Sequence, residues 1–260
     1  MTERDKLPPL ERYVRILELL AAFPDGLTLA DVARMLDLPK TSAHRLLGTM
    51  QDSDLIDMAA GASSTYVLGQ RIARLAYRGA GTQWLDTLVR PYLRDLSAET
   101  GETCYLARLD GLLVTSVVME APDTPWRGFV LPGKDMPAHA AASAKAILAF
   151  QDETSIMEIL SQPLPRLTSK TRTSTEDILA EYEQVRRQGY ATCIGEIDEG
   201  LAALGVPVHI PNVGVIYSVG VTGPLQRIMD QQPHLTAQTM ARCAERIAHA
   251  LSVGLARRPG

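Results

Sequence analysis

Apolar residues recur with helical spacing through the N-terminal part of the chain. After Pro8-Pro9, the run LERYVRILELLAAF puts Leu10, Val14, Leu17 and Ala21 on one stripe, with Tyr13, Ile16 and Leu20 beside it. The pattern predicts a helix that stops at Phe23-Pro24-Asp25-Gly26. Thr28 stands three residues before Asp31, the spacing of a capping box, and Leu29, Val32, Ala33 and Leu36 follow at i, i+3, i+4, i+7 as a second short helix. Pro39 fits the first turn of a helix but not its interior, because it has no N–H and its ring clashes with the preceding turn. A third helix is therefore expected from near Lys40. Its buried stripe is Ala43, Leu46, Leu47 and Met50, which leaves Thr41, Arg45 and Gly48 on the opposite face and Ser42, His44 and Thr49 on the flanks. Two short helices joined by a tight turn, the second rich in hydrogen-bond donors at its start, make a helix-turn-helix, which lays its second helix in the DNA major groove.

The period then changes. Leu55 to Met58 and Thr65 to Leu68 read as strands around the small-residue loop AAGASS, a β-hairpin wing. Gly69 closes this unit, a helical stretch carries Ile72, Leu75 and Ala76, and Gly79-Ala80-Gly81 leads into a helix carrying Trp84, Leu85, Leu88, Tyr92 and Leu96. Glu102 to Leu109 and Leu112 to Met119 flank Asp110-Gly111, a two-residue hairpin signal. Residues 129–131 read as a short strand and Ala140 to Phe150 as an alanine-rich helix, and a polar segment is expected to cross to Ser174, which caps a helix ending at Gln188-Gly189. Ala202 to Ile210 and Val213 to Val221 are strands on either side of Pro211-Asn212, and a long helix runs from about His234 to Ala256. The fold class is α+β, one antiparallel sheet with helices on its faces behind the helix-turn-helix.

At 260 residues, with 46% apolar and 22% charged side chains, the chain has the length and composition of two globular domains. No apolar run reaches a membrane span and the start MTERDKLPPL has no signal-peptide core, so a cytoplasmic protein that makes no membrane contact is expected. The net charge of -4 argues against a protein that coats nucleic acid without specificity. Residues 1–78 are neutral, with ten basic and ten acidic side chains, and the rest of the chain holds the negative surplus. Cys104, Cys193 and Cys243 form no CxxC pair, so neither a metal site nor a disulfide is expected. His139 and Ser143 stand four apart, but no acid is placed to orient the histidine, and Ser143-Ala144-Lys145 lacks the S-x-x-K spacing of an acyl-serine enzyme. His139 reads as a structural hydrogen-bonding residue. There is no GxGxxG, P-loop or GxSxG, so neither a cofactor nor enzymatic activity is expected.

The segment ERYVRILELLAAFPDGLTLADVARMLDLPKTSAHRLLGTM resembles the helix-turn-helix of the IclR family of transcriptional regulators, and STYVLG resembles the exit of its wing. LSAETGET, PGKDMPAHAAASAKAILA, RRQGYA, GLAALGVPV and YSVGVTGP are similar, in order, to blocks of the family's effector-binding domain. The resemblance spans nearly the whole chain. It implies a winged helix-turn-helix domain (1–69), a linker helix (70–82) and a GAF-like effector-binding domain (83–260), working as a homodimer or dimer of dimers. It also implies binding to double-stranded promoter DNA, with repression the expected role, under the control of a small-molecule effector.

On the third helix, Arg45 and the hydroxyls of Thr41 and Ser42 carry donors that base edges and phosphates accept, with Thr49 farther along and Arg45 placed first. His44 either donates to DNA or is solvated, and Lys40 either reaches phosphate or is solvated. Ser63, Ser64 and Tyr66 either touch DNA from the wing or are a hairpin tip and a packing tyrosine. The resemblance places the effector pocket at Ala142, Ser143, Cys193, Ala203, Gly220 and Thr222. Family members that hold small carboxylates often have an acid at the position of Cys193, and can have a cysteine at Ala203 and hydroxyls at Gly220 and Thr222. These departures favour a larger, partly apolar or aromatic carboxylate, or a related catabolic intermediate. Leu106, Met119 and Phe129 either complete an apolar wall or are ordinary sheet core. Two rival readings stand beside this one: a small-molecule enzyme with a protein-contact helical N-terminal domain, and a ligand-binding protein without DNA affinity.

Overall fold

The computed structural model describes residues 8–59, 64–79, 81–123 and 133–256, and the chain divides into two compact units, 1–79 and 80–260. The expected wing-tip residue Ser63, the strand at 129–131 and Phe129 lie outside the described residues.

The first unit contains α1 (Pro9–Ala22), β1 (Leu27–Thr28), α2 (Leu29–Met35), α3 (Lys40–Asp52), β2 (Ile56–Met58), β3 (Thr65–Leu68) and α4 (Gln70–Arg78). The three strands form an antiparallel sheet in the order β1-β3-β2, which makes the wing. Thr28 caps α2 through the Asp31 N–H while the Asp31 carboxylate reaches back to the Thr28 N–H, the reciprocal box expected from the sequence. The core consists of Ile16, Leu20, Leu27, Val32, Leu46, Leu47, Met50 and Ile56. In α1 the two apolar stripes exchange roles relative to expectation. Ile16 and Leu20 are buried, whereas Leu10 is 72% and Val14 38% exposed. Both stripes are apolar enough to be a core face, and only the position of α1 against the wing decides between them.

Helices α2 and α3 end alike. The N–H of Leu38 bonds to the carbonyl of Ala33 and that of Asp37 to Arg34, and Leu55 to Met50 and Asp54 to Gln51 repeat the pattern after α3. These are Schellman ends, whose first residue beyond the cap is left-handed, and aspartate fills that place at φ +53 and φ +55. Glycine has no Cβ penalty in this region, so Asp54→Gly is expected to stabilise the first unit by about 0.5–1 kcal/mol. Chemical denaturation would read this as a higher midpoint, and an unchanged or lower midpoint would count against it.

The second unit opens with α5 (Thr82–Thr100) and continues through β4 (Thr103–Asp110), β5 (Leu113–Glu120), β6 (Asp135–Met136), α6 (Ala142–Leu148), α7 (Glu153–Leu160), α8 (Thr175–Gln188), β7 (Ala191–Ile194), β8 (Leu201–Ile210), β9 (Gly214–Pro224), α9 (Leu225–Asp230) and α10 (Pro233–Ala256). Six antiparallel strands form one sheet in the order β6-β5-β4-β9-β8-β7. Helices α5 and α10 pack on one face and α6, backed by α8, on the other. Because both faces are covered, β4, β8 and β9 are buried almost without alternation. The buried stripe of α5 is Leu85, Val89, Leu93 and Leu96.

The hairpin after β4 turns on Gly111-Leu112, with Gly111 at φ +62 and Asp110 paired to Leu113, one residue later than the sequence suggested. The segment expected to cross to Ser174 as polar coil contains α7, capped by Asp152 through the Ser155 N–H and buried at Ile156, Ile159 and Leu160. Ser174 and the left-handed Gly189 bound α8 as expected.

Candidate functional site

Two places in the structure have the makings of a site, one in each unit. In the first, α3 buries Ala43, Leu46, Leu47 and Met50 and turns its remaining side chains outward. Lys40, Thr41, His44, Arg45 and Thr49 are exposed and Ser42 is half-buried. Pro39 precedes the helix without a side-chain cap, so no cap takes up the first N–H groups of α3, and Lys40 stands at the same end. A helix start of this kind attracts anions, because free N–H groups and the helix dipole act together. Among the described residues, Arg45 makes no ion pair and keeps its guanidinium donors free. Thr49 is different, since its hydroxyl already donates to the Arg45 carbonyl at 3.0 Å. In the wing, Ser64 is exposed and Tyr66 packs against the core of the first unit.

In the second unit a cleft of about 580 Å³ opens between the start of α6, strands β6 and β7, and the ends of β8 and β9. Ala142, Cys193, Ala203 and Thr222, all expected from the sequence, line it. Their convergence has a steric basis. A Cβ on Gly205 would come within 2.5 Å of the Ala142 carbonyl, so glycine in β8 lets the first turn of α6 settle directly on the sheet. Cys193 lies in β7 and pairs with Ala203 of β8, which in turn pairs with Thr222 of β9. The three form a row across the sheet. Burial pushes the Cys193 thiol up in spite of the nearby Lys145 ammonium. Thr222 donates its proton to the Ala202 carbonyl at 3.2 Å.

Other expected positions lie off the cleft surface. Strand alternation carries Leu106 to the opposite face, with Cys104, and brings its neighbour Tyr105 into the cleft. Met119 pairs with Tyr105 across β4 and β5, but is not among the described residues that line the cleft. Ser143 is fully buried and donates to the Tyr105 hydroxyl at 3.0 Å, and Gly220 lies beneath the Tyr105 ring. The sequence reading missed Tyr105, Met136 and Pro137, and the apolar rim of Ile197 and Leu201. The signal available for Tyr105 was the strand period counted from the Cys104 side, and full burial of β4 erased it.

Lys145 and His139 have structural partners. The Lys145 ammonium, wholly buried, sits 2.8 Å from Glu181 and 2.9 Å from Glu196, and Arg172 lies 3.2 Å and 3.8 Å from the same two carboxylates. Burial pushes Glu196 up, and Lys145 and Arg172 hold it down. His139 is buried and its Nε2 lies 2.9 Å from the Pro165 carbonyl, an acceptor, so the ring donates there. Among the described residues no group of histidine, cysteine and carboxylate side chains has the arrangement of a metal site.

Residues 82–249 match the family model described as bacterial transcriptional regulator IclR C-terminal, and residues 9–57 match that of the IclR helix-turn-helix domain. The glycerol operon regulatory protein of Streptomyces griseus is 31% identical over 249 residues, which cover 94% of this chain and 96% of that protein. Among solved structures, an IclR homolog from Microbacterium hydrocarbonoxydans complexed with 4-hydroxybenzoate superposes with a TM-score of 0.60 at 25% identity, covering 94% of this chain and 99% of that one. The repressor BlcR of Agrobacterium tumefaciens superposes with a TM-score of 0.59, also at 25% identity, covering 95% and 98%.

Proposed function

Since the chain belongs to the IclR family of bacterial transcriptional regulators, with its helix-turn-helix and effector-binding domains, we propose that it is a promoter repressor released or tightened by an aromatic or partly apolar carboxylate. The observation that carries this reading is the division of α3 into a buried stripe and an outward face of unpaired donors, Lys40, Thr41, His44 and Arg45. Arg45 reads guanine through two parallel hydrogen bonds, and Lys40 with the open N–H groups of α3 holds a phosphate. Ser42 and Ser64 add short-range contacts, and Thr49, its proton already committed, contributes least.

Repression is supported by the likeness to BlcR, and the ligand class by the homolog bound to 4-hydroxybenzoate and by the apolar walls of the cleft. A three-carbon acid would leave most of about 580 Å³ unfilled. Recognition helices read neighbouring major grooves in pairs about 34 Å apart, so the working form is a homodimer or a dimer of dimers. Residues 70–82 are the linker through which the occupied cleft biases the spacing of the paired helices. An effector does so only if it binds the two arrangements with different affinity.

The test is a protection footprint of the purified protein on the DNA upstream of its own gene, followed by selection from genomic fragments. A discrete footprint with pseudo-palindromic halves, shifted by 4-hydroxybenzoate or a related acid and weakened steeply by salt through counterion release, is the expected result. Failure to protect any selected fragment at low salt would overturn the reading.

A further inference from the structure

Two hydroxyls meet where Tyr105 lines the cleft and Ser143 lies buried behind it, with one proton more than they can use on each other. The Tyr105 ring comes from β4 and closes over Gly220, where a Cβ would stand 2.2 Å from the ring Cζ and 2.6 Å from the Ser143 Oγ. No side chain fits at position 220 while the ring is there. Ser143 donates to the Tyr105 hydroxyl at 3.0 Å, and the carbonyl of Ser143 is in turn held by the Ser218 hydroxyl at 3.0 Å. A pair of hydroxyls carries two protons, and the bond between them takes up one whichever way it points. Among the described residues, the pair has no acceptor for the second. Burial pushes the phenol up to about 12, so it remains a proton donor at neutral pH.

The neighbouring polar groups of the cleft do not compete for this role. Thr222 donates into the sheet, and the Cys193 thiol, which burial keeps protonated, is only a weak donor. The charged residues Lys134, Asp135 and Asp198 lie exposed among the lining residues. What is left on the inner wall is one preoriented donor amid apolar surface.

We infer that Tyr105 is the residue that sets effector specificity: its hydroxyl donates to an oxygen acceptor on the ligand, whose apolar body lies along Met136, Ile197 and Ala203. Gly220 is glycine because only glycine leaves room for that ring. The inference rests on the effector-binding reading of the cleft and deepens it by naming the selecting group. A ligand lacking an acceptor leaves the buried donor unpaired, and that is a stronger basis for rejection than a poor apolar fit.

The experiment is calorimetric titration of the full chain with 4-hydroxybenzoate and with p-xylene, a ring of similar size without an acceptor. Wild type is compared with Tyr105→Phe and with Ala203→Trp, which fills the cleft from β8; Leu201→Trp serves instead if circular dichroism shows that Ala203→Trp does not fold. The expected result is that the tryptophan variant abolishes binding of both probes. Tyr105→Phe should weaken 4-hydroxybenzoate by about tenfold or more and leave p-xylene unchanged or tighter. Equal affinity of wild type and Tyr105→Phe for 4-hydroxybenzoate overturns the inference while the cleft stands as the binding site. Binding that survives the folded tryptophan variant, or no binding of either probe to wild type, overturns the cleft reading and the inference with it.

Discussion

Lys145→Met is expected to destabilise the second unit by about 3–5 kcal/mol, the usual cost of removing one partner from a buried ion pair. The lysine is fully buried on α6, and its ammonium is the closest cation to both Glu181 and Glu196. Arg172 is the only other cation bonded to these two carboxylates among the described residues; it is 46% exposed and lies 3.8 Å from Glu196, so it compensates only in part. Denaturant unfolding followed by circular dichroism measures the loss, with the second unit's transition fitted separately from the first.

The loss also depends on pH. In the native wild type, burial already pushes Glu196 up against the pull of Lys145. Without the lysine it rises further above its unfolded value, and a carboxyl raised in the folded state adds stability at low pH that fades as pH rises through the folded value. The gap between variant and wild type therefore narrows as pH falls into the ordinary glutamate range. Lys145→Met with Glu181→Gln and Glu196→Gln together should recover most of the loss, because it is the unpaired charge and not the missing bond that dominates. A single-variant cost below about 1 kcal/mol would contradict the burial of the cluster.

Arg45→Ala is expected to reduce operator affinity about ten- to a hundredfold while nonspecific binding changes far less. A bidentate arginine-to-guanine contact contributes about 1–3 kcal/mol of discrimination, and Arg45 is exposed with all its donors free. Lys40→Ala should behave differently. It weakens binding to all sequences alike and lowers the salt slope by about one, as loss of a phosphate contact does. Fluorescence anisotropy on the footprinted fragment and on a scrambled one, at several salt concentrations, separates the two. Discrimination undiminished in Arg45→Ala would remove α3's central residue from base reading.

The effector cleft and the DNA-reading helix differ in how far they could be read from the chain. Every donor proposed on α3 follows from one helix, one proline and a stripe of four apolar residues, and the structure leaves the same face open. In the cleft, Ala142, Cys193, Ala203 and Thr222 came from resemblance, and the structure brings these four together from α6, β7, β8 and β9. The sequence points to Leu106, as wall or as sheet core, and not to Tyr105, because a strand covered on both faces shows no polar alternation to set its parity. The two-residue strands β1 and β6 are too short to carry any period.

What the sequence by itself determined is local: the Thr28–Asp31 box, the start of α3 after Pro39, the Ser174 and Gly189 ends of α8, and the presence of the β4–β5 and β8–β9 hairpins. In each, the deciding groups lie within a few residues of one another, so capping, backbone sterics and turn chemistry suffice. Tertiary structure alone decided which stripe of α1 is buried, that Tyr105 rather than Leu106 faces the cleft, and that Lys145 meets carboxylates 36 and 51 residues away. Those outcomes depend on which surfaces the folded chain covers, and burial energy is set by neighbours in space whose distance along the chain leaves no periodic trace.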